Sequence, residues 1–135
     1  MNAPGKSMIK VVSILMLIFS SISLIVLFVS LIGSVYISAY YLGVGVILIF
    51  ALIISFASVI FEFIAAILGL KHCGRPEKAN SLFCIGVTLI IITAVSILFN
   101  IISGSFSVLN LVSLVLPILY TVGASQNKNA ANVNI

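Results

Sequence analysis

The sequence predicts an all-α membrane protein, an antiparallel up-down bundle of four transmembrane helices within residues 1–124. The first observation is composition: 63% of the 135 residues are hydrophobic and 6% are charged, whereas a soluble domain has about 25% charged residues. The second is the distribution of charge, because three short stretches hold every lysine and arginine and four long apolar runs separate or flank them. At about 20 residues per span, four spans use most of the chain.

The basic residues predict that both termini lie in the cytoplasm. They precede the first apolar run, separate the second from the third and follow the fourth: Lys6, Lys10, Lys71, Arg75, Lys78 and Lys128. The two other connections, about residues 33–42 and 103–108, carry no charge. Because lysine and arginine accumulate on the cytoplasmic side, we expect a multi-pass protein of the cell membrane. Its net charge of +4 then faces lipid headgroups rather than nucleic acid.

The first two spans are predicted over residues 9–32 and 43–70. The first run exceeds the apolar region of a secretory signal, which has about 7–15 residues, so we expect it to remain in the mature chain. Tyr36, Tyr40 and Tyr41 lie in the connection that follows, and tyrosines suit the aromatic belt at a membrane surface. The second run is long enough to tilt in the bilayer.

The third and fourth spans are predicted over residues 79–102 and 109–124. Pro76 and Glu77 precede the third span. Both suit the first turn of a helix, where proline loses no hydrogen bond and a carboxylate meets the positive end of the helix dipole. The Asn-rich segment 125–135 carries one charge and is predicted to be a disordered cytoplasmic tail.

Small and hydroxyl-bearing residues predict where the helices touch, because in lipid they permit close approach and hydrogen bonds between helices. In the second span they recur at steps of four and three residues, which places them on one side of a helix that turns by about 100° per residue. The predicted packing positions are Ala51, Ser55, Ser58, Ala65 and Gly69, together with Gly86, Thr93, Ser96 and Asn100 of the third span. Such faces also suit self-association or binding to another membrane protein.

Glu62 is the charged residue predicted inside the membrane, and it is the candidate site for a proton or small cation. It lies eight residues before Leu70, so about 12 Å inside the membrane at about 1.5 Å per residue. An ionised acid there costs at least about 2.5 kcal/mol, and no basic residue is predicted near it. We therefore expect a protonated carboxyl at neutral pH, with nearby hydroxyls or amides, including Thr88, as partners. The alternative is a neutral group that only hydrogen-bonds across the bundle.

No pattern in the sequence predicts catalysis, a cofactor or a metal centre. The chain has no aspartate and a single histidine, His72. Together with Cys73 and Cys84, this histidine falls short of the roughly four ligands that zinc requires. A membrane enzyme needs several convergent polar groups, so we expect a protein without enzymatic activity.

Two parts of the sequence resemble a known group of proteins. They are EFIAAILGLK at residues 62–71, continued by RPEKA at 75–79, and LPILYTVGASQNK at 116–128. This pattern is similar to one in small, mostly uncharacterised four-span integral membrane proteins of Gram-positive bacteria. The resemblance implies a bacterial inner membrane and brings no activity with it.

Two functional hypotheses from different classes remain. The leading one is a non-enzymatic helical module that assembles with itself or with a partner in a regulatory, accessory or immunity-type role, because the small-residue faces suit such contacts. The alternative is a small transporter or channel that uses Glu62 for protons or cations. A holin-like pore former is a third, weaker hypothesis.

Overall fold

The structure, a computed structural model, describes residues 3–40, 42–102 and 108–133. All regular structure in these ranges is helical, which confirms the predicted all-α class for the described part of the chain. The elements in chain order are α1 (Lys6–Tyr40), α2 (Leu42–His72), a 3₁₀ turn (Pro76–Lys78), α3 (Ala79–Ile102) and α4 (Val108–Val133). An α-helix satisfies its own backbone hydrogen bonds, so it is a structure that apolar chains can adopt in lipid.

Within the described residues, three stretches are long and apolar enough to cross a membrane. They are Lys6–Ile37, Ile49–His72 and Pro76–Leu98, with mean hydropathies of 2.8, 2.5 and 2.6. The shortest has 23 residues, whereas a bilayer core requires about 20. By length and composition, this is a helical protein of the transmembrane type.

Helix α1 is longer than the sequence predicts. The connection expected over residues 33–42 is helical up to Tyr40, and α2 begins at Leu42. This segment has neither a proline nor a charged residue to end a helix. Its Ser34 hydroxyl donates to the Ser30 carbonyl at 2.8 Å, a bond that a continuous helix allows. Tyr41 and residues 103–107 of the predicted outer turn (103–108) lie outside the described residues, and Val108 begins α4.

The C-terminal segment differs most from its prediction. Disorder is predicted over residues 125–135, yet α4 continues to Val133. Asn127 is fully buried; its Oδ1 accepts a hydrogen bond from the Gly5 N–H at 2.7 Å, and its Nδ2 donates to the Cys73 carbonyl at 3.0 Å. These partners lie 122 and 54 positions away in sequence, so local composition gives no indication of them.

Most buried apolar side chains gather at one end of the bundle, which we term the packed end. It combines the N-terminal parts of α1 and α3 with the C-terminal parts of α2 and α4. Its core comprises Ile9, Val12, Met16, Ala65, Ala66, Cys73, Leu82, Leu89, Tyr120 and Ala124. The bonds of Asn127 bring the three basic stretches to this end. Nearby, the Lys128 ammonium lies 5.0 Å from the centroid of the Phe83 ring.

Two glycines allow the helices to approach closely at the packed end. A methyl group at Gly69 of α2 would overlap the Ser13 hydroxyl of α1 and lie 2.6 Å from Cε2 of Tyr120 in α4. A methyl group at Gly86 of α3 would overlap the Thr121 hydroxyl of α4. The small side chains therefore determine how near the four helices can come.

In the opposite half of the bundle, which we term the open half, the described residues are more exposed. Large apolar side chains are exposed there on all three long apolar helices, among them Val29 of α1, Ile54 of α2 and Leu98 of α3. Phe28 of α1 and Phe56 of α2 pack edge to face, with ring centroids 5.3 Å apart. Exposed apolar side chains of this kind are suited to contact with lipid tails.

Candidate functional site

A cavity of about 390 Å³ lies between the four helices, directly beyond the packed end. Every helix contributes to its wall. The lining residues are Phe19 and Ser23 of α1, Ser58, Val59 and Glu62 of α2, Leu89, Ile92, Thr93 and Ser96 of α3, and Ser113, Leu116 and Pro117 of α4. Glu62 is the only charged side chain among these described lining residues.

The helical repeat explains why these positions share one cavity. Residues three or four apart lie on the same face of a helix. Ser58 and Glu62 are four residues apart, and the α4 residues Ser113 and Pro117 have the same spacing. Each helix therefore presents one face to the cavity, over about one turn in α1, α2 and α4 and about two turns in α3.

Three of the lining hydroxyls have their protons engaged by their own helices. Ser58, Thr93 and Ser96 each donate to the backbone carbonyl four residues earlier, at 3.1, 2.9 and 3.0 Å. A hydroxyl whose proton is used in this way still presents oxygen lone pairs. These three side chains can accept a hydrogen bond from a ligand, but they offer no proton to an anion.

Glu62 is half-buried in this wall, and the described lining contains no lysine, arginine or histidine. A carboxylate in largely apolar surroundings is costly to ionise unless a positive charge accompanies it, and the described lining supplies none. The arrangement therefore suits a carboxyl that holds either a proton or another cation.

The structure brings part of the predicted site together. Ser58, on the same helix as Glu62, and Thr93 and Ser96, across the bundle, line the same cavity as Glu62. Sequence reasoning did not connect Ser23 of α1 or the α4 residues with Glu62. The four-residue spacing of small residues in α4 was the available indication, but it does not show which helix faces which.

Other predicted positions lie elsewhere. Ser55 is not in the cavity lining, and its hydroxyl donates to the carbonyl of Ala51, which is itself exposed. Thr88 is exposed and donates to the Cys84 carbonyl at 2.9 Å. The side chain of Asn100 lies outside the described residues. Ala65, Gly69 and Gly86 are buried at the packed end.

Metal-ligating side chains are scattered through the described part of the chain. No group of three or more histidine, cysteine, aspartate or glutamate residues there could hold a metal ion. Both cysteines are free thiols; Cys73 is buried and Cys84 is exposed.

The fold and the cavity define a helical protein of the transmembrane type with an acidic side chain between its helices. Comparison with known proteins gives no match to a family model, a curated protein or a solved structure. The resemblance to four-span proteins of Gram-positive bacteria stays a prediction.

Proposed function

We propose that the chain crosses the cell membrane four times, up and down, with both termini in the cytoplasm. Support comes from the packed end, where the bonds of Asn127 gather all three basic stretches. Because lysine and arginine accumulate on the cytoplasmic side, this end faces inward. Helix α4 has 26 residues, enough for a span of about 20.

Within this topology, the protein acts as a small proton- or cation-coupled transporter with Glu62 as its binding residue. The observation that carries this proposal is the cavity, which joins residues of all four helices around one carboxyl. An ionisable residue inside a membrane is costly and marks ion pathways. The packed end closes the cavity on one side, through buried side chains such as Leu89 and Tyr120. An ion would therefore reach Glu62 from the other side in this conformation, which favours a transporter over an open channel.

The same geometry weakens the support for the assembly module. Ala65, Gly69 and Gly86, three of the residues expected to mediate association, are buried inside this single chain. They are occupied by contacts between its own helices and cannot also contact a second copy. Neither the transporter nor the assembly module includes an enzymatic reaction.

The decisive experiment is proton and cation flux in proteoliposomes. We expect flux with the wild type and a loss of roughly tenfold or more with Glu62→Gln, because glutamine keeps the shape of the side chain but cannot carry the charge. Glu77→Gln is the matched control, since Glu77 is the other acidic residue of the chain and is exposed. Equal flux in the two variants, or none in the wild type with all three proteins folded, would contradict the proposal.

The assembly module remains the second candidate, because one part of the predicted packing face is uncovered. Ala51 is exposed in the open half, on the same helix as Ser55. Chemical crosslinking in native membranes tests this candidate. A dimer or a defined partner that disappears with Ala51→Leu, while Glu62→Gln leaves it unchanged, would favour assembly over transport.

A further inference from the structure

The size of the cavity narrows the class of cation that it can bind. Its volume of about 390 Å³ falls within the range of about 300–1,000 Å³ typical of small-molecule sites. At about 30 Å³ per molecule it would hold on the order of ten waters, far more than a proton or a directly coordinated metal ion needs. The residues also suit a metal poorly, since hard cations take about six oxygen ligands. Glu62 is the only carboxyl among the described lining residues.

The wall of the cavity is apolar over much of its area. Apolar side chains come from all four helices: Phe19, Val59, Leu89, Ile92, Leu116 and Pro117. A hydrated inorganic ion would leave these groups facing water, whereas a ligand with a hydrocarbon surface would cover them. A ligand that matches this wall therefore has an apolar body.

The polar groups of the wall determine the sign of the ligand charge. Glu62 supplies a single negative charge once it has released its proton, and the hydroxyl protons of Ser58, Thr93 and Ser96 are bonded to backbone carbonyls. An anion would find no lysine or arginine in the described lining. A cation meets one carboxyl, hydroxyl lone pairs and the ring of Phe19, whose face attracts positive charge.

We propose that the cavity binds a lipophilic organic cation with one positive charge. The charge lies near Glu62 and the hydrocarbon groups contact the apolar wall. Phe19, Ser96 and Ser113 are exposed, so the ligand enters past these residues and stops at the packed end. The inference rests on the proposed function, because it names the substrate class of the same site.

The test is equilibrium binding of tetraphenylphosphonium to the purified full-length protein in detergent. Tetraphenylborate, an anion of nearly the same shape, is the control ligand. We expect saturable cation binding by the wild type and Glu77→Gln, and binding weakened by about tenfold or more in Glu62→Gln, because a desolvated charge loses its partner. Tetraphenylborate should not compete.

Ile92→Trp gives a second variant that keeps Glu62 and fills the apolar part of the cavity. We expect it to weaken tetraphenylphosphonium binding although Glu62 is unchanged, because the indole ring would take up space that the hydrocarbon groups of the ligand need. Gel filtration establishes that each variant is folded before binding is measured.

The outcomes separate this inference from the proposed function. Equal binding by the wild type and Glu62→Gln, or equal binding of both ions, would overturn the inference, since partition into detergent needs neither the carboxyl nor a positive charge. Glu62-dependent proton flux without tetraphenylphosphonium binding would overturn only the organic-cation inference. Absence of both flux and binding in the folded wild type would overturn the proposed function and the organic-cation inference together.

Discussion

Asn127 shows how one side chain can order a segment whose composition indicates disorder. Its amide uses both of its polar atoms, one toward the N-terminal segment and one toward the connection between α2 and α3. The side chain is fully buried, so water cannot easily replace it as the hydrogen-bond partner of the Gly5 N–H and the Cys73 carbonyl. A single residue thereby joins three separate parts of the chain at the packed end.

Asn127→Ala should destabilise the protein strongly. The change leaves the Gly5 N–H and the Cys73 carbonyl without their partner, and an unsatisfied buried group costs about 1–3 kcal/mol. Asn127→Asp should also destabilise it, because aspartate can accept from Gly5 but an ionised carboxylate cannot donate to Cys73. Thermal unfolding in detergent, followed by circular dichroism, measures the loss.

Asn129→Ala provides the matched control for this prediction. Asn129 lies on the same helix and is exposed, and surface substitutions usually change stability by less than about 0.5 kcal/mol. Similar melting temperatures for Asn127→Ala and Asn129→Ala would show that the two hydrogen bonds do not stabilise the fold.

At the scale of the helix, the sequence predicts correctly those features that do not depend on long-range contacts. The apolar runs predict the helices themselves, since length and apolar content suffice to identify membrane-crossing segments. The helix ends were harder to predict. Helix α1 continues past residue 32 and α4 past residue 124, because no proline ends the first and buried contacts extend the second.

The candidate site was predictable to a similar degree. Ser58 and Glu62 share a face because they are four residues apart on one helix. The neighbours from α1 and α4 could not be assigned, because the rotation of each helix about its axis is determined by packing at the packed end. Periodicity therefore predicts which residues of one helix share a face. Tertiary contacts determine which faces of the neighbouring helices complete the site.

Gly69→Ala tests that packing directly. The added methyl group would overlap the Ser13 hydroxyl and lie 2.6 Å from the Tyr120 ring, so α1 or α4 must move away from α2. Overpacking of this kind costs about 1–3 kcal/mol, and we expect a lower melting temperature in detergent.

Gly33→Ala is the same substitution on α1, at a site where a new methyl group meets nothing within 4 Å. There the exchange should be neutral or stabilising by up to about 1 kcal/mol, since glycine weakens a helix. If Gly69→Ala and Gly33→Ala change the melting temperature similarly, the close helix contact at Gly69 does not exist in the detergent-solubilised protein.

At the scale of the whole molecule, the bundle divides into a packed end that carries the basic residues and an open half with exposed apolar side chains. The cavity lies where the two meet, so the core of the packed end lies between Glu62 and the basic residues. In the proposed function the two parts have separate tasks: the packed end holds the helices together, and the cavity beside it accommodates the ligand. In a membrane, lipid tails would cover the exposed side chains of the open half.

The number of membrane crossings determines on which side the C-terminus lies. Three crossings would put residues after α3 and all of α4 on the outer side. The contact of Asn127 with Gly5 and Cys73 instead brings the end of α4 back to the basic end. A fourth crossing is the simplest way for α4 to reach this position from the outer end of α3.

Cysteine labelling of intact cells distinguishes the two topologies. In a background with Cys73→Ala and Cys84→Ala, we expect a membrane-impermeant maleimide to label Ser105→Cys directly. Gln126→Cys, at an exposed position of α4, should react only after the membrane is permeabilised, because the positive end of the molecule stays inside. Labelling of Gln126→Cys on intact cells would instead support three crossings. It would put Asn127 on the opposite side of the membrane from Gly5 and Cys73, and so contradict the two hydrogen bonds that join them.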